Sequence, residues 1–150
     1  ARSPTPAALF PLGATTVRLM VSDGRASSTD EISVTVADTS PPEVTLSTQP
    51  SVLWPPNGQM IDVEVMIRVA DRCDPSPNFA LVSISSNDVT ARSDDVARAE
   101  FGTPDTQFLL RARRNGGGVR RYRIVYEGRD RSANTSIAES EASVPHDLGK

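Results

Sequence analysis

The sequence predicts an all-β chain: an antiparallel β-sandwich over residues 39–150, preceded over residues 1–38 by the closing strands of a second, similar unit. Three observations carry this. Short runs in which apolar and polar residues alternate with period two recur along the chain. Clusters of Gly, Pro, Asn, Asp and Ser separate those runs. No stretch of helical length shows an apolar face at 3.6-residue spacing.

Residues 1–7 are polar and Pro-rich and read as a mobile tail. Thr15 to Val21 alternates, with Val17, Leu19 and Val21 on one side and Arg18 and Met20 on the other. Ser22-Asp23-Gly24 is a turn signal, and Glu31 to Val36 returns as the second strand of a hairpin. A lone hairpin is marginal in water, so residues 1–38 read as the last third of a domain. Its remaining strands would come from upstream sequence, another chain or the second domain. Ala37-Asp38-Thr39-Ser40-Pro41-Pro42 is the hinge: proline removes a backbone donor and disfavours helix before it, leaving a stiff, extended joint.

Beyond the hinge, Glu43 to Thr48 is a strand, and Ser51 to Gly58 a broad turn holding the single tryptophan, Trp54. Met60 to Ala70 is the clearest strand, with Ile61, Val63, Val65, Ile67 and Val69 on one face and Asp62, Glu64 and Arg68 on the other. Asp71 to Asn78 is an acidic, Pro-rich loop. Phe79 to Ser86 is a strand whose Leu81 and Ile84 fall out of register, which implies a bulge or burial on both faces. Asn87 to Thr106 lacks periodicity. Gln107 to Arg113 and Val119 to Glu127 read as a hairpin about a Gly-rich tip, Arg114 to Gly118. Gly128 to Asn134 is a loop and Thr135 to Val144 the last strand.

Composition narrows the function. Hydrophobic content is 37% but aromatics are 5%, so the core rests on Val, Ile and Leu. The net charge of −3 and a pI near 5.1 argue against a dedicated nucleic-acid binder. No apolar run approaches the ~18 residues of a membrane span. No charged-then-apolar leader is read in Ala1 to Pro11. With Cys73 as the single cysteine, no intrachain disulfide forms.

Several stretches bear on family. Phe10-Pro11-Leu12-Gly13-Ala14-Thr15-Thr16-Val17, then Val21-Ser22-Asp23-Gly24, then the strand into Ala37 to Pro42, resemble the C-terminal half of hyalin-repeat and PKD-type immunoglobulin-like domains. Leu53 to Asn57, Asp71 to Asp74, Ser86 to Asp88, Leu110 to Arg113, Tyr122 to Tyr126, Asp130 to Asn134 and Val144 to Asp147 together resemble a bacterial extracellular immunoglobulin-like module. Arg131 and Ala133 depart from the pattern, standing where such repeats usually carry Ala and Gly, and Gly58-Gln59 replaces a more basic pair. The resemblance implies a secreted or cell-surface setting and neighbouring domains of the same kind.

In such a sandwich, the loops after the Met60 and Val119 strands share one pole with the hinge. Asp38, Asp71, Asp74, Asp130 and Asn134 are therefore expected to converge there. Hard oxygen ligands on loops suit Ca²⁺; as an alternative, the acids are ordinary turn residues capping backbone N–H groups. Asp88, Asp94, Asp95, Glu100 and Asp105 match no EF-hand spacing and read as a solvated loop. Arg111 and Arg113 are expected opposite Arg121 and Arg123 as a basic stripe for an anionic polysaccharide or an acidic partner surface, unless Asp62, Glu64 or the acidic loop neutralise it. Trp54 reads as the plug of the sandwich end, or else as a sugar-stacking platform. His146 and Cys73 lack a nucleophile–base pairing, and Asp94-Asp95 points to opposite faces if extended. Asn134-Thr135-Ser136 matches a glycosylation acceptor.

The expected function is a non-catalytic, extracellular structural or adhesive module stiffened by calcium. The alternative is a carbohydrate- or cell-surface-binding accessory domain. Strand exchange or homo-oligomerisation through the open hairpin is the further expectation.

Overall fold

The computed structural model describes residues 7–114 and 117–147. Residues 1–6 of the expected tail and 115–116 of the expected hairpin tip lie outside the described residues. The chain divides into two compact units, Ala1–Thr39 and Ser40–Lys150.

The first unit is a hairpin of β1 (Gly13–Ser22) and β2 (Ser27–Val36), paired from Gly13↔Val36 to Ser22↔Ser27. Its turn is closed by Asp23, whose Oδ1 accepts the N–H groups of Arg25 and Ala26, both at 2.8 Å. Gly24 supplies the positive φ of +91° that the turn requires. The register sets Val17 opposite Ile32 and Arg18 opposite Glu31. Alternation thus sorts apolar from polar side chains onto separate faces. Leu19, Val21 and Ile32 nevertheless remain about 60% exposed: 59%, 61% and 64%.

The second unit is an antiparallel sandwich. One sheet has the order β3-β4-β7-β6, from Glu43–Gln49, Met60–Ala70, Gln107–Arg111 and Val96–Ala97; the other is β5-β8-β9, from Asn78–Ser86, Arg120–Arg129 and Thr135–Val144. The core lies between them. Val63 and Val65 of β4, Phe108 and Leu110 of β7, Leu81 of β5, Tyr122, Ile124 and Tyr126 of β8, and Ala142 and Val144 of β9 are all buried, with Leu53. Both tyrosines hide their rings yet satisfy their hydroxyls: Tyr122 Oη donates to the Arg111 carbonyl at 2.8 Å and Tyr126 Oη to that of Asp105 at 2.6 Å. The β5 register slips between Leu81 and Ser83, a bulge that lets both Leu81 and Ile84 pack inward. Residues 102–103 cover it, Gly102 N–H donating to the Leu81 carbonyl and Leu81 N–H to that of Thr103. The β9 edge is covered by residues 51–53, with Leu53 N–H on the Ser143 carbonyl and Ser143 N–H on that of Ser51.

Two expectations are corrected. Strands β7 and β8 form no hairpin: β7 pairs β4 and β6, whereas β8 pairs β5 and β9. The connection crosses between sheets because Leu110 and Phe108 find their register against β4, where Ile61 opposes Leu110 and Val63 opposes Phe108. The segment 87–106 also carries local structure, a 3₁₀ turn at Ser93–Asp95 followed by the two-residue β6.

The sheets pack closely at Gly128 of β8. A Cβ there would lie 2.4 Å from Val44 Cγ2 and 3.3 Å from Val69 Cγ1. Gly128→Ala is expected to cost about 1–3 kcal/mol by forcing the sheets apart. A chemical-denaturation curve checks this, and an unchanged midpoint would contradict it.

Candidate functional site

Strand directions bring the acidic loops of the second unit together. Glu43 opposes Ala70, Asn78 opposes Arg129, and Arg129 opposes Thr135. The loops 71–77 and 130–134 therefore leave the sandwich at the end where β3 begins. Asp71, Asp74, Asp130 and Asn134 all lie at this end, while Asp38 belongs to the first unit.

What the carboxylates do there is specific. Asp71 Oδ1 accepts the N–H groups of Cys73 and Asp74, both at 2.8 Å, folding its own loop. Asp74 is buried, and its Oδ1 accepts the Ser76 N–H at 2.9 Å. Its Oδ2 accepts the N–H of Arg131 from the other loop, also at 2.9 Å, and the Arg131 guanidinium stands 3.4 Å from Oδ1. Asp74 thus ties the two loops. Asp130, also buried, closes its own loop: Oδ1 takes the Asn134 N–H at 2.8 Å and Oδ2 the Asn134 side-chain amide at 2.7 Å. That amide is the one a glycan would need. The donor set fits a cation poorly at Asp74, because a guanidinium already faces the carboxylate and N–H groups occupy both oxygens.

The same loop holds backbone strain. Ala133 sits at φ +68°, a left-handed conformation that costs a residue with a Cβ roughly 1–2 kcal/mol. Ala133→Gly is expected to raise stability by up to about 1 kcal/mol, reduced by the extra freedom glycine has when unfolded. Thermal melting checks the sign.

The arginines divide into two groups, which corrects the basic stripe. Arg121 and Arg123 lie on the outer face of β8 and pair with Glu141, at 3.0 Å, and with Glu139. These are exposed pairs worth about 0–1 kcal/mol each. Arg111 and Arg113 instead reach Asp95, because Arg111 ends β7 in the other sheet and Arg113 follows just after it. Asp95 is 1% exposed and lies 2.8 Å from Arg120 Nη2, 3.1 Å from Arg111 Nε and 3.3 Å from Arg113 Nη2. Its Oδ2 also accepts the Arg92 N–H at 2.8 Å, and Arg111 holds Asp94 at 3.1 Å. Arg120 is itself buried, with its guanidinium carbon 4.5 Å above the Tyr122 ring and its Nε donating to Ser86 Oγ. Burial is the largest influence on Asp95 and opposes its ionisation. The Arg92 N–H and the Arg120 guanidinium together outweigh it, and the pKa falls below the ordinary carboxylate value.

Sequence reasoning took Asp95 for part of a solvated loop and counted Arg120 among the arginines of a basic hairpin, with no buried role. The signal was present in β8: Arg120 is in phase with Tyr122, Ile124 and Tyr126, the buried face. An arginine in that phase requires a carboxylate partner. At the sandwich end, Leu53 is the fully buried plug, and Trp54 beside it is 39% exposed. His146 is exposed at 3.2 Å from Asp147, and Cys73 is exposed.

No protein-family model, curated protein or solved structure matches the chain. No helix among the described residues is long and apolar enough to cross a membrane.

Proposed function

We propose that the chain is a non-catalytic, immunoglobulin-like structural module of an extracellular or cell-surface protein, one of a series of such domains. The observation that carries this is the use made of the buried acids: Asp74, Asp95 and Asp130 are engaged with backbone N–H groups, arginines and Asn134 that hold loops in place. The immunoglobulin-like character is supported by strand order. The sheets β3-β4-β7-β6 and β5-β8-β9 correspond strand for strand to the ABED and CFG sheets of a constant-type domain. A buried tyrosine near the start of the sixth of these strands in the sheet-to-sheet path, Tyr122, bonds back to upstream backbone as in that fold.

The geometry best supports a pole that its own N–H groups hold closed. Calcium at this pole is the second reading, favoured by the gathering of Asp71, Asp74 and Asp130 on adjoining loops of the second unit. Melting in millimolar calcium and in chelator separates the two. The clamp predicts equal melting temperatures, and the calcium reading predicts a clear rise with the ion. Carbohydrate binding through Trp54 is favoured by the exposure of its ring. Glycan-array binding lost in Trp54→Ala with the fold intact would replace the structural reading.

A further inference from the structure

We propose that Arg111, Arg113 and Arg120 form an anion-binding site whose resident occupant is the protein's own Asp95, and that a sulfate or phosphate group takes its place when the 88–95 turn lifts. Three guanidiniums come within 3.3 Å of one carboxylate. Planar forks presented together in this way recognise oxyanions in general. Their orientation does not depend on Asp95 alone. Arg111 Nη1 is held by the Gly58 carbonyl, Arg120 Nη1 by the Arg113 carbonyl and Arg120 Nε by Ser86.

Arg113 Nε is buried with no hydrogen-bond partner, a donor that a tetrahedral oxyanion could meet; the other unmet atom of the cluster is an acceptor, Asp88 Oδ2, 4.0 Å from Arg120 Nε.

The turn that carries Asp95 is built to separate from the sandwich. Residues 89–94 are all exposed, including Val89 at 100%. Backbone bonds in the turn are internal, Ala91 N–H to the Asp88 carbonyl and Asp95 N–H to that of Arg92. Attachment to β7 and β8 runs through carboxylates onto the arginines: Asp94 and Asp95, and at the start of the turn the buried side chain of Asp88, 4.0 Å from Arg120. No apolar side chain from residues 89–94 has to leave the core for the turn to lift. A cleft of about 170 Å³ lined by Asn87, Asp88, Val89, Gly118, Val119 and Arg120 already opens beside Arg120.

Asp95 competes as an intramolecular ligand at an effective concentration in the millimolar range or above. Free phosphate is therefore expected to bind the native chain weakly and an Asp95 variant about tenfold more tightly or better. The test compares melting in inorganic phosphate with melting in chloride at equal ionic strength. Asp95→Ala and Asp95→Asn are expected to be stabilised specifically by phosphate, and Arg113→Gln in the Asp95→Ala background should abolish the effect. Hydrogen exchange of residues 88–95 in the unsubstituted chain needs no variant to fold and should rise with phosphate. A sulfated oligosaccharide forms the second arm. Faster exchange with it too places the anion on a polymer, whereas a response to phosphate alone restricts the site to free ions. If exchange in the unsubstituted chain and melting of every folded variant respond no more to phosphate or the oligosaccharide than to chloride, the inference is overturned.

Discussion

Replacing Asp95 by alanine is expected to destabilise the second unit by about 3–5 kcal/mol, the cost of leaving a buried charge without its partner. The buried partner is Arg120, 1% exposed and 2.8 Å from the lost carboxylate. Arg111 and Arg113 reach the same carboxylate from the half-exposed side and would rehydrate more readily. Asp95→Asn keeps the shape and an acceptor for the Arg92 N–H, so a smaller loss is expected from it. The effect should also depend on pH. A carboxyl whose folded pKa lies below its unfolded value contributes stability that is complete above the unfolded value, about 3.9. That contribution disappears as pH falls through the lower, folded value. The gap in stability between the native chain and Asp95→Asn should therefore be constant from neutrality to about pH 5 and close in stronger acid. Denaturation curves at several pH values check this, and a gap that widens on acidification would contradict the assignment.

Replacing Asp74 by alanine is expected to cost about 2–4 kcal/mol, because at least two N–H groups lose their acceptor, each worth about 1–3 kcal/mol when left unmet in a buried place. The donors are Ser76 N–H within the loop and Arg131 N–H across from it. The loss differs in kind from that at Asp95. It should loosen residues 71–77 and 130–134 while the tyrosine-lined core stays closed, since Tyr122, toward the opposite end of β8, is fixed by the Arg111 carbonyl. Asp74→Asn retains one acceptor but turns a donor toward the Arg131 guanidinium or its N–H, so only partial recovery is expected. Near-native core fluorescence with a lowered denaturation midpoint is the expected result for the alanine variant.

The parts of this fold that sequence made legible are those governed by local alternation. The span Met60 to Ala70 is legible to the residue because Ile61, Val63, Val65, Ile67 and Val69 recur at every second position and that face is packed. The slip at Leu81 was visible for the same reason, as a fault in a regular pattern. The β7–β8 connection was misread because a Gly-rich stretch between two strands carries the local signature of a hairpin. Pairing there is decided by distant partners, Met60 to Glu64 for β7 and Asn78 to Ser86 for β8. That error moved Arg111 and Arg113 onto the wrong face and hid their meeting with Asp95. The meeting of loops 71–77 and 130–134 followed from strand direction. The bonding of Asp74 and Asp130 did not, since an aspartate that caps backbone and one that binds a cation have the same spacing in a loop.

Central to this account is that Asp74, by accepting the Arg131 N–H, joins the two loops of the pole with no ion required. Hydrogen exchange at the Arg131 amide in calcium-free, chelator-containing buffer measures that bond directly. Strong protection in the native chain, lost in Asp74→Ala, is the predicted result. An amide that exchanges freely until calcium is added would contradict the account and give the pole to the metal.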